Sequence, residues 1–68
     1  MRVLLNGESR EIVDGASVRD AVRAAGAPSE GRGVAVALDG EVVPRGRWDE
    51  EPLTEGQRVE VVQAVQGG

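Results

Sequence analysis

The sequence predicts an α+β domain, a mixed five-stranded sheet with one main helix packed on one face. Three observations carry that expectation. Asn6-Gly7 and Asp39-Gly40 each separate two short runs of alternating apolar residues, and both dipeptides suit tight hairpins. The stretch after Ser17 switches to a helical period with readable ends. A further alternating run follows the Glu55-Gly56 turn and supplies the fifth strand.

In the first run Met1, Val3 and Leu5 share one face and Arg2 and Leu4 the other, as in a half-buried strand. Asn6-Gly7 turns the chain because both residues tolerate positive φ. Ser9 to Val13 then returns antiparallel, with Ile12 pointing inward, and Asp14-Gly15 closes it. Ser17 is a good N-cap, and Asp20 three residues on completes a capping-box pattern near the positive end of the helix. Val18, Ala21, Val22 and Ala25 make the apolar stripe, with Arg19, Asp20, Arg23 and Ala24 opposite. Gly26 is the expected left-handed C-terminal residue, and Pro28 prevents continuation.

Pro28 to Gly33 reads as a loop. Val34 to Leu38 alternates large apolar residues with alanine, so one face is core and the other can lie close to something without being polar. Asp39-Gly40 leads into the return strand Glu41-Val42-Val43, which Pro44 ends. Arg45 to Thr54 has no clean period, and Pro52 argues against a helix through it. Gln57 to Val65 is the last strand, with Val59 and Val61 on one face. A single helix laid on a mixed sheet buries every one of these stripes. This ββαββ order, with the fifth strand after the irregular turn, is that of the β-grasp, or ubiquitin-like, fold. The outer face of such a sheet is exposed, and Leu4 and Val62 fall on it.

Composition excludes several chemistries. Sixty-eight residues make one small core, with 40% apolar content typical of a globular chain. Without Cys or His there is no disulfide, zinc site, iron–sulfur cluster or Cys–His or Ser–His nucleophile pair. All eight basic residues are Arg, so no lysine is available for Schiff-base chemistry. A net charge of −4 with one aromatic residue argues against nucleic-acid binding. The apolar run at the N-terminus is too short for a signal peptide or a membrane span. A cysteine-free chain suits a reducing cytoplasm.

Among side chains, Asp49-Glu50-Glu51 is read as a solvated acidic turn rather than an acid–base or metal site. Gly31-Arg32-Gly33 has glycine spacing like that of phosphate loops but lacks their strand–loop–helix context. Trp48 is either a plug over the end of the aliphatic core, the favoured reading, or a partner-facing anchor. Arg45 and Arg47 read most simply as surface charges.

The Gly67-Gly68 end is either a frayed tail of no consequence or the place of the remaining candidate, the Gly68 carboxylate. Residues without Cβ let an extended backbone thread a narrow channel in another protein. Counted from Ala64, five residues reach at most ~17 Å. The expected organisation is a folded domain over residues 1–65 and a flexible tail over 66–68. A carboxylate is a poor acyl donor, and its activation needs a mixed phosphoric anhydride, hence ATP, Mg²⁺ and a separate enzyme. On this reading the chain is a substrate and carrier, not an enzyme, and binds no cofactor itself.

The chain resembles the ThiS family of sulfur carriers for thiamine biosynthesis. The resemblance spans Leu4-Leu5-Asn6-Gly7, the helix after Ser17, the stretch Ala37-Leu38-Asp39-Gly40-Glu41-Val42-Val43-Pro44-Arg45-Gly46-Arg47-Trp48, the Glu55-Gly56 turn, Val59-Glu60-Val61-Val62 and Gly67-Gly68. It implies that a ThiF-like adenylyltransferase adenylates the Gly68 carboxylate with MgATP. Sulfur from a cysteine desulfurase or another persulfide donor then gives a terminal thiocarboxylate, which a ThiG-like thiazole synthase consumes. Leu4, Val62, Ala64 and Gln66 are the candidate partner contacts, with Gly67 and Gly68 the carrier terminus. Gln66 departs from the smaller residues common in relatives at that place. Two alternatives stand beside this one. One is a carrier for molybdopterin, cysteine or tRNA thiolation, of the MoaD kind. The other is a β-grasp interaction module in which the glycines do nothing.

Overall fold

Strand and helix periods in the sequence become a sheet and a helix that bury the same side chains. The structure is a computed structural model and describes residues 1–64; Val65, Gln66, Gly67 and Gly68 lie outside the described residues. Strands β1 (Arg2–Leu5) and β2 (Glu8–Glu11) form the first hairpin, and Asn6 and Gly7 take φ of 51° and 83° at its turn. Helix α1 (Val18–Ala24) follows, then strands β3 (Val34–Leu38) and β4 (Glu41–Val43) around Asp39 and Gly40, with φ of 47° and 89°. A single 3₁₀ turn (Arg45–Arg47) and an irregular stretch lead to β5 (Arg58–Gln63).

The sheet order is β2-β1-β5-β3-β4. The last strand therefore inserts at the centre, parallel to β1 and antiparallel to β3. Val3, Leu5, Val36, Leu38, Val59 and Val61 point to the buried face, where Val18, Ala21 and Val22 of α1 meet them. The expected mixed five-stranded sheet with one helix on one face is the observed fold.

Every donor of the first helical turn has an identified partner. The capping box forms, with the Asp20 carboxylate accepting the Ser17 backbone N–H at 2.8 Å. Val18 N–H donates to the Glu51 carbonyl at 2.9 Å, and Arg19 N–H to that of Trp48 at 3.2 Å. At the other end Gly26, with φ of 78°, closes a Schellman pair. Its N–H reaches the Arg23 carbonyl at 3.0 Å, and Ala27 N–H that of Val22 at 3.2 Å.

Several details differ from expectation. The last strand, expected over Gln57 to Val65, runs Arg58–Gln63 among the described residues. Strand β2 ends at Glu11; Ile12 N–H still pairs with the Met1 carbonyl, and Val13 beyond it is exposed. Ala24, expected on the polar face, packs partly buried against the core. Leu53 is buried at 5% exposure within a stretch that carries no period. It is placed by Leu53 N–H donating to the Ala16 carbonyl at 2.9 Å and by a bridge between Pro52 and Ser17. The Met1 ammonium donates to the Ile12 carbonyl and the Asp14 carboxylate, both at 2.8 Å. That second bond raises the amine above its ordinary value, against the opposing effect of burial, and lowers Asp14.

Candidate functional site

Strand β5 leads to the candidate terminus, so what holds it fixes the last described residues. Three contacts grip it along its length. At its start the Asp39 carboxylate accepts Arg58 N–H at 3.0 Å, while Asp39 N–H donates to the Arg58 carbonyl at 2.9 Å. Farther along, β1 has already turned away at Leu5, yet the Asn6 side chain continues its pairing. Asn6 Oδ1 accepts Val61 N–H at 2.8 Å, and Asn6 Nδ2 donates to the Val61 carbonyl at 3.2 Å. Beyond the last paired residues, Val34 and Gln63, Ala64 N–H donates to the Gly33 carbonyl at 2.7 Å.

Asn6 and Asp39 thus have a second task that turn chemistry alone does not reveal. Both sit at positive φ, as Asn and Asp do more readily than other side chains. Their short polar side chains then reach the neighbouring strand. The sequence signal for it is the choice of Asn and Asp, rather than Gly, at the first turn position.

Trp48 is the plug and not the anchor. Its side chain is 1% exposed, and its Nε1 donates to the Val43 carbonyl at 3.0 Å. The Arg19 guanidinium lies over the ring, 5.4 Å from its centroid, with Nε on Asp49 at 2.5 Å and Nη1 bonded to the Ser29 carbonyl. Glu51 accepts from Arg47 at 3.3 Å, so two of the three clustered carboxylates serve surface ion pairs.

Leu4 and Val62 are both exposed, at 41% and 63%, and lie on the outer sheet face as expected. They do not form one patch. Leu4 registers beside Arg58, whereas Val62 lies four residues farther along β5, with Glu60 between them, and pairs with Ala35. Val62 belongs instead with Ala35, Ala37 and the exposed Val42 that pairs with Ala37. Val42 was not singled out from the sequence, although its place in the short β4 run made it a candidate. A shallow apolar depression beside Val62 is lined by Gly33, Val34, Ala35 and Ala64. Ala64 is exposed at the root of the terminal segment. Gln66, Gly67 and Gly68 lie outside the described residues.

The family model for the ThiS family matches residues 3–68, nearly the full chain and both terminal glycines. This chain belongs to the ThiS family. Solved structures similar to this ThiS-family chain include the following two. A crystal structure of the thiamine biosynthesis protein (ThiS) from Geobacter metallireducens is 26% identical, with all of both chains covered and a TM-score of 0.78. A solution NMR structure of a thiamine biosynthesis protein from Geobacter metallireducens is 26% identical, covers all of this chain and 88% of that one, and has a TM-score of 0.81. Among curated proteins, none matches the sequence significantly. No helix among the described residues is long and apolar enough to cross a membrane.

Proposed function

We propose that this chain is a sulfur carrier in the thiazole branch of thiamine biosynthesis and that the Gly68 carboxylate is its working group. Residues 1–65 serve as the folded handle and residues 66–68 as the tail offered to partners. The observation that carries the reading is the ThiS-family match, which runs through the two terminal glycines. A central strand gripped along both edges supports it, because a firm root lets a short tail be delivered to a fixed place.

In this mechanism a ThiF-like adenylyltransferase binds MgATP and the tail. A Gly68 carboxylate oxygen attacks the α-phosphorus of ATP, and pyrophosphate leaves. The acyl adenylate now has AMP as a good leaving group. A persulfide, from a cysteine desulfurase or a related donor, displaces AMP. Cleavage of the resulting S–S bond by a thiol leaves a terminal thiocarboxylate. Its sulfur is a softer nucleophile than carboxylate oxygen and passes to a ThiG-like thiazole synthase. The carrier contributes no catalytic side chain and binds no cofactor; ATP and Mg²⁺ belong to the partner.

Deletion of Gly68 tests the reading directly. The shortened chain is expected to retain its unfolding midpoint and to lose ATP-dependent adenylation by a ThiF-like enzyme. Adenylation at the wild-type rate refutes the proposal. Intact-protein mass spectrometry of the chain from its native cell is expected to show one oxygen replaced by sulfur.

A further inference from the structure

The loop between α1 and β3 carries two glycines that the turn pattern alone does not explain. Gly31 is buried, with φ of 84°, and a Cβ there would stand 2.6 Å from Cζ3 and 2.9 Å from Cη2 of the Trp48 ring. It would also stand 2.6 Å from Arg45 Cδ, which a flexible side chain can yield; the buried indole cannot. The loop backbone therefore rests directly on the face or edge of the plug, at a distance that only glycine permits. Arg19 fastens the same loop from the helix side through the Ser29 carbonyl while covering the ring.

Two residues on, Gly33 has φ of 70° and turns its carbonyl to accept Ala64 N–H at 2.7 Å. Val34 N–H returns to the Gly31 carbonyl at 3.1 Å, which ties the two glycines into one turn. A line of contacts thus runs from the Trp48 ring through Gly31 and Gly33 to Ala64. On the other edge of β5, Asn6 fixes Val61. The rung at Ala64 is the final backbone bond of β5 among the described residues, and four residues separate Ala64 from the Gly68 carboxylate.

We propose that Gly31 and Trp48 are positioning residues for the terminal carboxylate, acting through the Gly33 carbonyl that holds Ala64. The inference rests on the proposed sulfur-carrier function and adds to it the part of the fold that sets the root of the tail. With the rung in place, four residues follow it to the carboxylate and reach at most ~14 Å. Without it the stretch between the last anchored residue and the carboxylate lengthens by at least one residue, and that residue must be ordered each time a partner binds. Ordering one further backbone residue weakens productive binding by about tenfold. The cost falls on ground state and transition state alike, so it appears in KM and leaves kcat unchanged.

The test compares wild type, Gly31→Ala, Ala64→Pro and the Gly68 deletion. Pyrophosphate release by a ThiF-like adenylyltransferase is measured with MgATP, and amide exchange is measured by NMR. Gly31→Ala is expected to speed exchange at Ala64 at least tenfold more than at Val36. It should raise KM for the carrier about tenfold with kcat within about twofold. Ala64→Pro deletes the donor without touching the core, so it tests the rung even if Gly31→Ala folds poorly. Its KM should rise by a similar factor, with the unfolding midpoint lowered by no more than about 1 M urea. A wild-type KM in Ala64→Pro, or a loss confined to kcat, overturns the proposal. So does unaltered Ala64 exchange in a folded Gly31→Ala chain. Wild-type turnover that survives deletion of Gly68 overturns the carrier function itself, and the positioning role falls with it. An unchanged KM against a Gly68-dependent wild type overturns the positioning role alone.

Discussion

Trp48→Phe separates a structural plug from a partner-facing anchor. The substitution removes the indole N–H that donates to the Val43 carbonyl at 3.0 Å, a net loss of about 1 kcal/mol. It also removes the fused second ring from a site 1% exposed, and the resulting void adds roughly 1–2 kcal/mol. The total is therefore about 2–3 kcal/mol. A domain of this length has a stability of roughly 3–10 kcal/mol, so the variant folds but is weakened. Trp48→Ala costs ~3–5 kcal/mol and brings the chain close to or below the threshold for folding. Because Trp48 is the sole aromatic residue, urea unfolding is followed by far-UV circular dichroism and not by fluorescence. With a urea slope near ~1 kcal/mol/M, Trp48→Phe should lower the midpoint by about 2–3 M. A shift below about 0.5 M would refute the account of Trp48 as part of the core.

Asn6→Ala removes both bonds to Val61 and leaves a β5 donor and acceptor unpaired, a loss of about 2–4 kcal/mol, read from urea unfolding with faster exchange at Val61. Asn6→Asp keeps the acceptor for Val61 N–H and is expected to lose less. The Met1–Asp14 pair predicts two pH limits. The lowered Asp14 pKa gives stability that is present above its ordinary value and lost as pH falls through the folded value. The raised amine gives stability that is present below its ordinary value and lost as pH rises through the folded value. Asp14→Asn should remove the first contribution and reduce the second, to which Glu11 and Glu55 also add, and NMR titration should move the amine toward its ordinary value. On the proposed function, Val62→Glu should raise the KM for adenylation more than Leu4→Glu does. Val62 adjoins the apolar strip at the root of the tail, and Leu4 stands apart beside Arg58. Equal effects would mean that a wider area of the outer face docks.

Local chemistry by itself determined the two hairpins, the ends of the helix and the inward faces of the strands. Asn6-Gly7, Asp39-Gly40, Ser17 with Asp20, and Gly26 each encode a backbone conformation within a few residues. Alternation in Val3 and Leu5, and in Val59 and Val61, states which side is buried wherever the strand pairs. Membership of the ThiS family was also legible, because matching a family motif needs only the residue types. Leu53 and the seat beneath Gly31 were not legible. The first is held by one bond to Ala16 and by the bridge of its neighbour Pro52 to Ser17, and the second depends on an indole seventeen residues away. Nor could periodicity tell that Leu4 and Val62 share a face without touching, since their separation follows from the register between β1 and β5. Period and turn residues act over a few bonds of chain and so are written locally. Register, close approach and the root of the tail are agreements between distant segments, and only the folded chain decides them.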